Sequence, residues 1–194
     1  MDAIQTAHIP PWKSKQSIGY FPKRMYCEQT GANLTKVLRD DHYKEEHRQG
    51  IIETASAGRE IDPLIWIKLC YQKIMEDFDE SDAYRGICFV PDIRFKNEME
   101  YLLGKSQEND HPHFQLQSFI IRIHSTDEAR AQRGWVPNPQ IDNHASEMEL
   151  DETNPEHFEY QFLNTSNDMF MYRIALQPLV DRLMPFVRGG DIEQ

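Results

Sequence analysis

Gly86-Ile87-Cys88-Phe89-Val90-Pro91-Asp92-Ile93-Arg94-Phe95-Lys96-Asn97-Glu98 is the stretch on which the fold turns. A short β-rich run ending in a carboxylate and an arginine reads as a buried parallel strand that delivers charge to its carboxyl end. In open α/β sheets that end is where ligands bind. No Gly-rich loop of the G-x-x-x-x-G-K-[ST] kind precedes it, although the arginines described below point toward phosphate.

Upstream of the strand, Asp62 as cap and Pro63 as first helical residue predict a helix over 63–78,. Leu64, Ile67, Leu69, Cys70, Ile74 and Met75 keep helical spacing along it,. Before that, Asp40 or Asp41 caps an amphipathic helix expected to last to about Ala57, with Gly58 closing it,. A short helical stretch over 24–38 is broken at Gly31, and residues 1–20, with Pro10-Pro11, read as an extended arm,.

Downstream, a helix over 97–103 is expected to stop at Gly104. Residues 119–123 make a second strand, and Thr126 caps a helix through Arg133,. A long acidic loop over about 134–157 reads as a lid. A third strand follows over 158–162, then a terminal amphipathic helix over 171–187. Strands alternating with helices predict an α/β fold with a mostly parallel sheet.

The chain has 194 residues, 39% apolar and 11% aromatic, and fits one compact domain over 21–194 with a sizeable core,. No apolar run approaches the ~18 residues of a membrane span. No basic-then-apolar leader opens the sequence. Cys27, Cys70 and Cys88 are isolated and odd in number, which suits a reducing compartment and small-hydrophobe roles,. A cytoplasmic protein is expected. The net charge of -11 argues against nucleic-acid partners, since no broad basic surface offsets phosphate repulsion,. It leaves room for a local arginine cluster to hold a small anion, because screening fades over ~8–10 Å.

Five places invite a chemical reading. Asp92 either caps the next helix and pairs with Arg94, or supports a metal ion while Arg94 grips phosphate with its fixed donor fork. Arg130 and Arg133, three apart on one helix face beside the lid, are either a solvated helix end or an anion site that closes. Arg59 sits beside Glu60 and Asp62, where a local ion pair would also explain it,. Gly104-Lys105-Ser106 is rejected as a phosphate loop: the first glycine of that pattern would fall at Met99, and the segment follows a helix instead of a strand,. His111-Pro112-His113 offers two imidazoles and no nearby third ligand,. No metal-ligand set is assigned.

These residues resemble those of the animal-type phosphomevalonate kinases, P-loop enzymes related to nucleoside monophosphate kinases. The resemblance covers roughly 21–187. It rests on Tyr43-Lys44-Glu45, the Arg59…Asp62-Pro63 corner, Asp92-x-Arg94, Gln132-Arg133-Gly134-Trp135, Ile141-Asp142…Ser146-Glu147 and Phe158-Glu159-Tyr160…Asn164. Val90-Pro91-Asp92-x-Arg94 and Trp66-Ile67-Lys68 also look like phage deoxynucleoside monophosphate kinases, so a nucleoside monophosphate kinase is the alternative.

The resemblance implies a three-layer P-loop-kinase-like sheet and ATP- and Mg-dependent transfer of a phosphoryl group onto mevalonate 5-phosphate. It implies that Arg59, Arg94 and Lys23 face the acceptor, that Arg130 and Arg133 neutralise the transferring group, and that Asp92 assists the metal. It begins after the family's first, central strand and its loop, which cradles the nucleotide phosphates. A truncated or alternatively started, weakly active form is therefore expected. The other expectation, from a different class, is a non-catalytic regulator that makes a homo- or hetero-oligomer through an open sheet edge. Whether Trp12, Ile18 and Tyr20 fill the gap in the sheet is left open by the sequence.

Overall fold

The computed structural model describes residues 11–81, 83, 85–108, 116–143, 145–165 and 167–188. His111-Pro112-His113, the first ten residues of the arm and the C-terminal 191–194 lie outside them. Where one domain is expected from residue 21, the chain gathers into two compact units, one ending at Ile93 and one beginning at Arg94.

The first unit holds β1 (Trp12–Lys15), α1 (Tyr20–Thr30), α2 (Leu34–Arg39), α3 (Asp41–Glu46), α4 (Arg48–Ile61), α5 (Ile65–Asp79) and β2 (Gly86–Phe89). Gly31 ends α1 at φ 78°, a left-handed position that a side chain would strain,. Asn33 Oδ1 accepts from the Lys36 N–H, and Asp40 Oδ1 from the His42 and Tyr43 N–H groups, so both following helices start on side-chain caps,.

The expected helix over 41–57 is two helices. The chain breaks at His47, whose Nδ1 lies 2.8 Å from the Tyr26 hydroxyl of α1. Gly58 does not close α4, which runs on to Ile61. Its missing side chain instead makes room for α5: a Cβ there would stand 2.3 Å from Trp66 Cζ2. Trp66 is buried, and its Nε1 donates to the Ala55 carbonyl at 3.0 Å. Asp62 ends α4 and does not cap α5, which begins two residues later than expected, at Ile65 after Leu64; its carboxylate accepts from the Leu64 N–H at 2.9 Å and from Lys68 Nζ at 2.7 Å in the turn between the two helices. Lys68 first, then the Leu64 N–H, holds its carboxyl below the usual carboxylate range. Val37, Trp66, Ile67 and Cys70 form the driest part of the core.

The arm is corrected at residues 12–15. They form β1, which pairs in parallel with β2, Trp12 opposite Gly86 and Lys15 opposite Phe89. Trp12 meets Phe78 of α5 edge-on at 5.5 Å, and Gln16 donates to Asp77 at 2.6 Å. Trp12 thus lies in a paired strand, Ile18 is buried behind it, and Tyr20 opens α1. The Asp92 strand is parallel, as expected, but only half-buried, with Phe89 50% exposed. Its ladder has one partner among the described residues, so less apolar surface is covered than on an interior strand,.

The second unit holds α6 (Lys96–Glu108), β3 (Ile121–His124), α7 (Asp127–Gln132), α8 (Pro139–Asp142), α9 (Ala145–Met148), β4 (Tyr160–Leu163) and α10 (Met169–Arg188). β3 and β4 are parallel neighbours, Ile121 opposite Tyr160. Thr126 Oγ1 caps α7 by accepting from the Ala129 N–H at 3.2 Å, and Gly134 follows it at φ 88°.

Two expectations fail here. α6 does not stop at Gly104 but continues to Glu108, because a helical glycine costs only ~1 kcal/mol and Ser106 and Ser118 tie the last turns together through the Leu102 carbonyl. The segment over 134–157 is not a structureless lid: α8, α9 and two 3-10 turns, Glu149–Glu152 and Pro155–His157, fill most of it. Leu150 and Thr153 are buried, which gives that segment an anchor.

Candidate functional site

In the first unit the carboxylate at the end of the β2 strand is built into the head of α1. Asp92 Oδ1 accepts from the Ile18 N–H at 2.9 Å. Asp92 Oδ2 accepts from the Gly19 N–H at 2.9 Å and from the Ser17 hydroxyl at 2.6 Å. A carboxylate suits this place because successive amides at a helix start converge on negative charge. Gly19 sits close against the group: a Cβ on it would lie 3.1 Å from Asp92 Oδ2, 3.6 Å from Lys23 Nζ and 3.7 Å from Ser17 Oγ. Lys23, one turn into α1, therefore also borders Gly19. Arg59 lies in the last turn of α4, half-buried, next to the Gly58–Trp66 contact. Its expected neighbour Asp62 is held by Lys68.

The Asp92–Arg94 pairing weighed from the sequence does not form. Asp92 closes the first unit on Ser17, Ile18 and Gly19, whereas the Arg94 side chain opens the second and pairs with Glu147 of α9. The Arg94 and Phe95 N–H groups donate to Glu98 Oε2 at 3.1 and 3.3 Å, which satisfies that buried carboxylate,.

Arg130 and Arg133 separate in their contacts. The Arg130 guanidinium stacks 3.8 Å from the Trp135 ring centroid and faces Asp127 and Asp142 at 3.4 and 3.7 Å. Arg133, just past the end of α7, donates Nε to Asn167 Oδ1 at 2.8 Å, Nη1 to Ser125 at 3.3 Å, and Nη2 to both oxygens of Asn164. Arg133 thus clamps the carboxyl ends of β3 and β4, with its donor fork largely spent on them.

Sequence reasoning missed Ser17 and Gly19 as partners of Asp92. The signal available was a Ser-x-Gly start to the helix over 20–30. It also missed Glu98, visible as a carboxylate four residues after Arg94 just inside a helix start,. Glu147 was noted, but not as the partner of Arg94.

Nucleotide phosphates and magnesium fit this arrangement poorly. In the strand–turn–helix passage from β1 to α1, where backbone amides could meet a phosphate, Asp92 already takes the Ile18 and Gly19 N–H groups,. Three donors occupy the Asp92 oxygens, and among the described residues no group of three His, Cys, Asp or Glu side chains is placed to hold a metal. No described helix is long and apolar enough to cross a membrane.

Lys23, Arg59, Asp92 and Arg94 all fall inside the segment with a known likeness, whereas Arg130, Arg133 and the Gln132–Trp135 element lie beyond it. Over residues 17–108 the chain matches the family model of phosphomevalonate kinase.

Proposed function

We propose that this chain is a phosphomevalonate kinase-like protein that binds a phosphorylated small acid, mevalonate 5-phosphate by family, with Lys23 and Arg59 as the candidate binding residues of the first unit, Arg94 as that of the second, and little phosphoryl transfer of its own. The observation that carries the reading is the placement of Lys23 against Gly19, inside the matched segment. In this reading Arg130 and Arg133 are further candidate anion-facing residues of the second unit, and Asp92 acts within the first by fixing the head of α1. The parallel pairing in both units supports a P-loop-kinase-like layering, and a cytoplasmic location is part of the same proposal.

Calorimetric titration of the full chain with mevalonate 5-phosphate, a nucleoside monophosphate and Mg-ATP tests this. The expected result is acceptor binding that Lys23→Ala weakens, with no Mg-ATP binding. Preference for the nucleoside monophosphate would move the assignment to that kinase class. Robust magnesium-dependent turnover would sink the weak-transfer part.

A second reading, a non-catalytic chain that pairs through a strand edge, is favoured by Ile123 and Leu163. These apolar residues of β3 and β4 are 61% and 60% exposed,. Light scattering that finds a clean monomer removes it.

A further inference from the structure

The second unit holds its acidic segment by one repeated device. In Glu147-Met148-Glu149-Leu150-Asp151 the carboxylates at alternate positions each end on a donor from elsewhere in that unit. Glu147 pairs with the Arg94 guanidinium, Glu149 Oε1 accepts from the Lys96 N–H at 2.8 Å, and Asp151 pairs with the Arg122 guanidinium. Leu150, between the last two, is buried and anchors the run.

The three contacts are not equally fixed. Arg122 is 21% exposed and its partner Asp151 50%, whereas both members of the other pair, Arg94 and Glu147, are well exposed at 50% and 41%. Solvent and salt screen the Arg94 pair, which makes it the exchangeable end of the strap. Arg94 and Lys96 present a guanidinium fork and a backbone N–H two residues apart, and two separate carboxylates are now needed to satisfy them. A phosphate monoester carries about -1.5 to -2 charges and three acceptor oxygens on one centre. It can take both donors at once and outbid a single carboxylate for the fork.

We propose that Glu147 and Glu149 are an internal stand-in for a phosphate, and that a phosphorylated small molecule reaches Arg94 by displacing them and loosening the strap around α9. This rests on the reading of Arg94 as a phosphate-binding residue. Glu98 already fills the Arg94 and Phe95 amides, so within this stretch an incoming anion has the Arg94 guanidinium and the Lys96 N–H left to meet. The Arg122–Asp151 pair and buried Leu150 keep the far end of the strap docked. Affinity is lowered by the fraction of time Glu147 holds the fork, and removing that competitor restores it.

The test uses the full chain with mevalonate 5-phosphate and, separately, inorganic pyrophosphate, at matched ionic strength. Binding is measured for the wild type, Glu147→Gln and Arg94→Ala, together with hydrogen exchange over 145–149. Glu147→Gln is expected to tighten binding roughly three- to tenfold, and either ligand to speed exchange over 145–149 in the wild type. If wild-type binding is too weak to measure, its appearance in Glu147→Gln supports the proposal, and its absence from both overturns it. Equal affinity of wild type and Glu147→Gln, with Arg94→Ala abolishing binding, overturns the stand-in while keeping Arg94 as the phosphate residue. Unchanged binding in Arg94→Ala overturns the Arg94 reading itself.

Discussion

The two units are held together by different means. The first packs α1, α4 and α5 around Trp66, Ile67 and Cys70, and places Ile18, Phe21 and Val37 against that core. The second buries Met99, Leu102, Ile120 and Phe162, yet leaves Met169, Phe170, Met171 and Ile174 on α10 half or more exposed. It compensates with polar ties that span long stretches of chain: Arg94 to Glu147, Arg122 to Asp151, Arg133 to Asn164 and Asn167. Apolar burial is non-directional and hard to exchange, whereas half-exposed ion pairs are worth little and exchange readily. The contrast assigns rigidity to the half that carries Lys23 and Asp92, and adaptability to the half that carries the strap.

Trp66→Ala is the sharpest attempt to break that contrast. It empties the slot that Gly58 leaves open and removes the indole donor to the Ala55 carbonyl, at an expected cost of about 3–5 kcal/mol in denaturant unfolding,. A cost below about 1 kcal/mol would mean that the α4–α5 contact does not hold the first unit.

Asp92→Ala comes next. Three donors lose their acceptor at the head of α1, at about 1–3 kcal/mol. The Ile18 and Gly19 amides should lose hydrogen-exchange protection first, and unchanged protection would remove Asp92 from its structural role.

In the second unit, Arg133→Ala should cost about 1 kcal/mol, with Arg133→Lys giving little rescue because an ammonium lacks the planar fork. Full rescue by lysine would show that charge alone suffices there.

The smallest effect near neutral pH concerns Cys88. Burial first of all pushes its thiol up to about 11, from an ordinary 9.0. The folded value exceeds the unfolded one, so the stabilisation is complete below about pH 9 and is lost as pH rises toward about 11,. Alkylation of the native chain should be slow at pH 8 and accelerate only above pH 10. Fast labelling at pH 8 would show that β2 opens readily.

Much of the local structure was legible in the residues. Gly31, Asp40 and Thr126 mark helix ends by chemistry that acts over one to four residues, and each is found in that role. The apolar spacing of 64–75 reads directly as α5. Asp92 was legible as a residue of consequence from its place after an apolar run, but its partners were not. Gly104 and the 134–157 segment misled because a glycine and a polar, Pro-bearing stretch look alike whether or not something distant packs on them.

By itself, then, the sequence determined three of the four described strands and the main helices between them, the parallel habit of those strands and the residues that carry charge to their ends. These follow from periodicity and caps that act within a few residues. The tertiary structure alone decided that Trp12–Lys15 is a strand and that Gly58 is a packing slot. It also decided that Asp92 and Arg94, two residues apart, serve different units. The roles of Asp92 and Arg94 depend on partners 75 and 53 residues away, Ser17 and Glu147, and the Gly58 slot on how α5 folds back on α4, none of which a local pattern records.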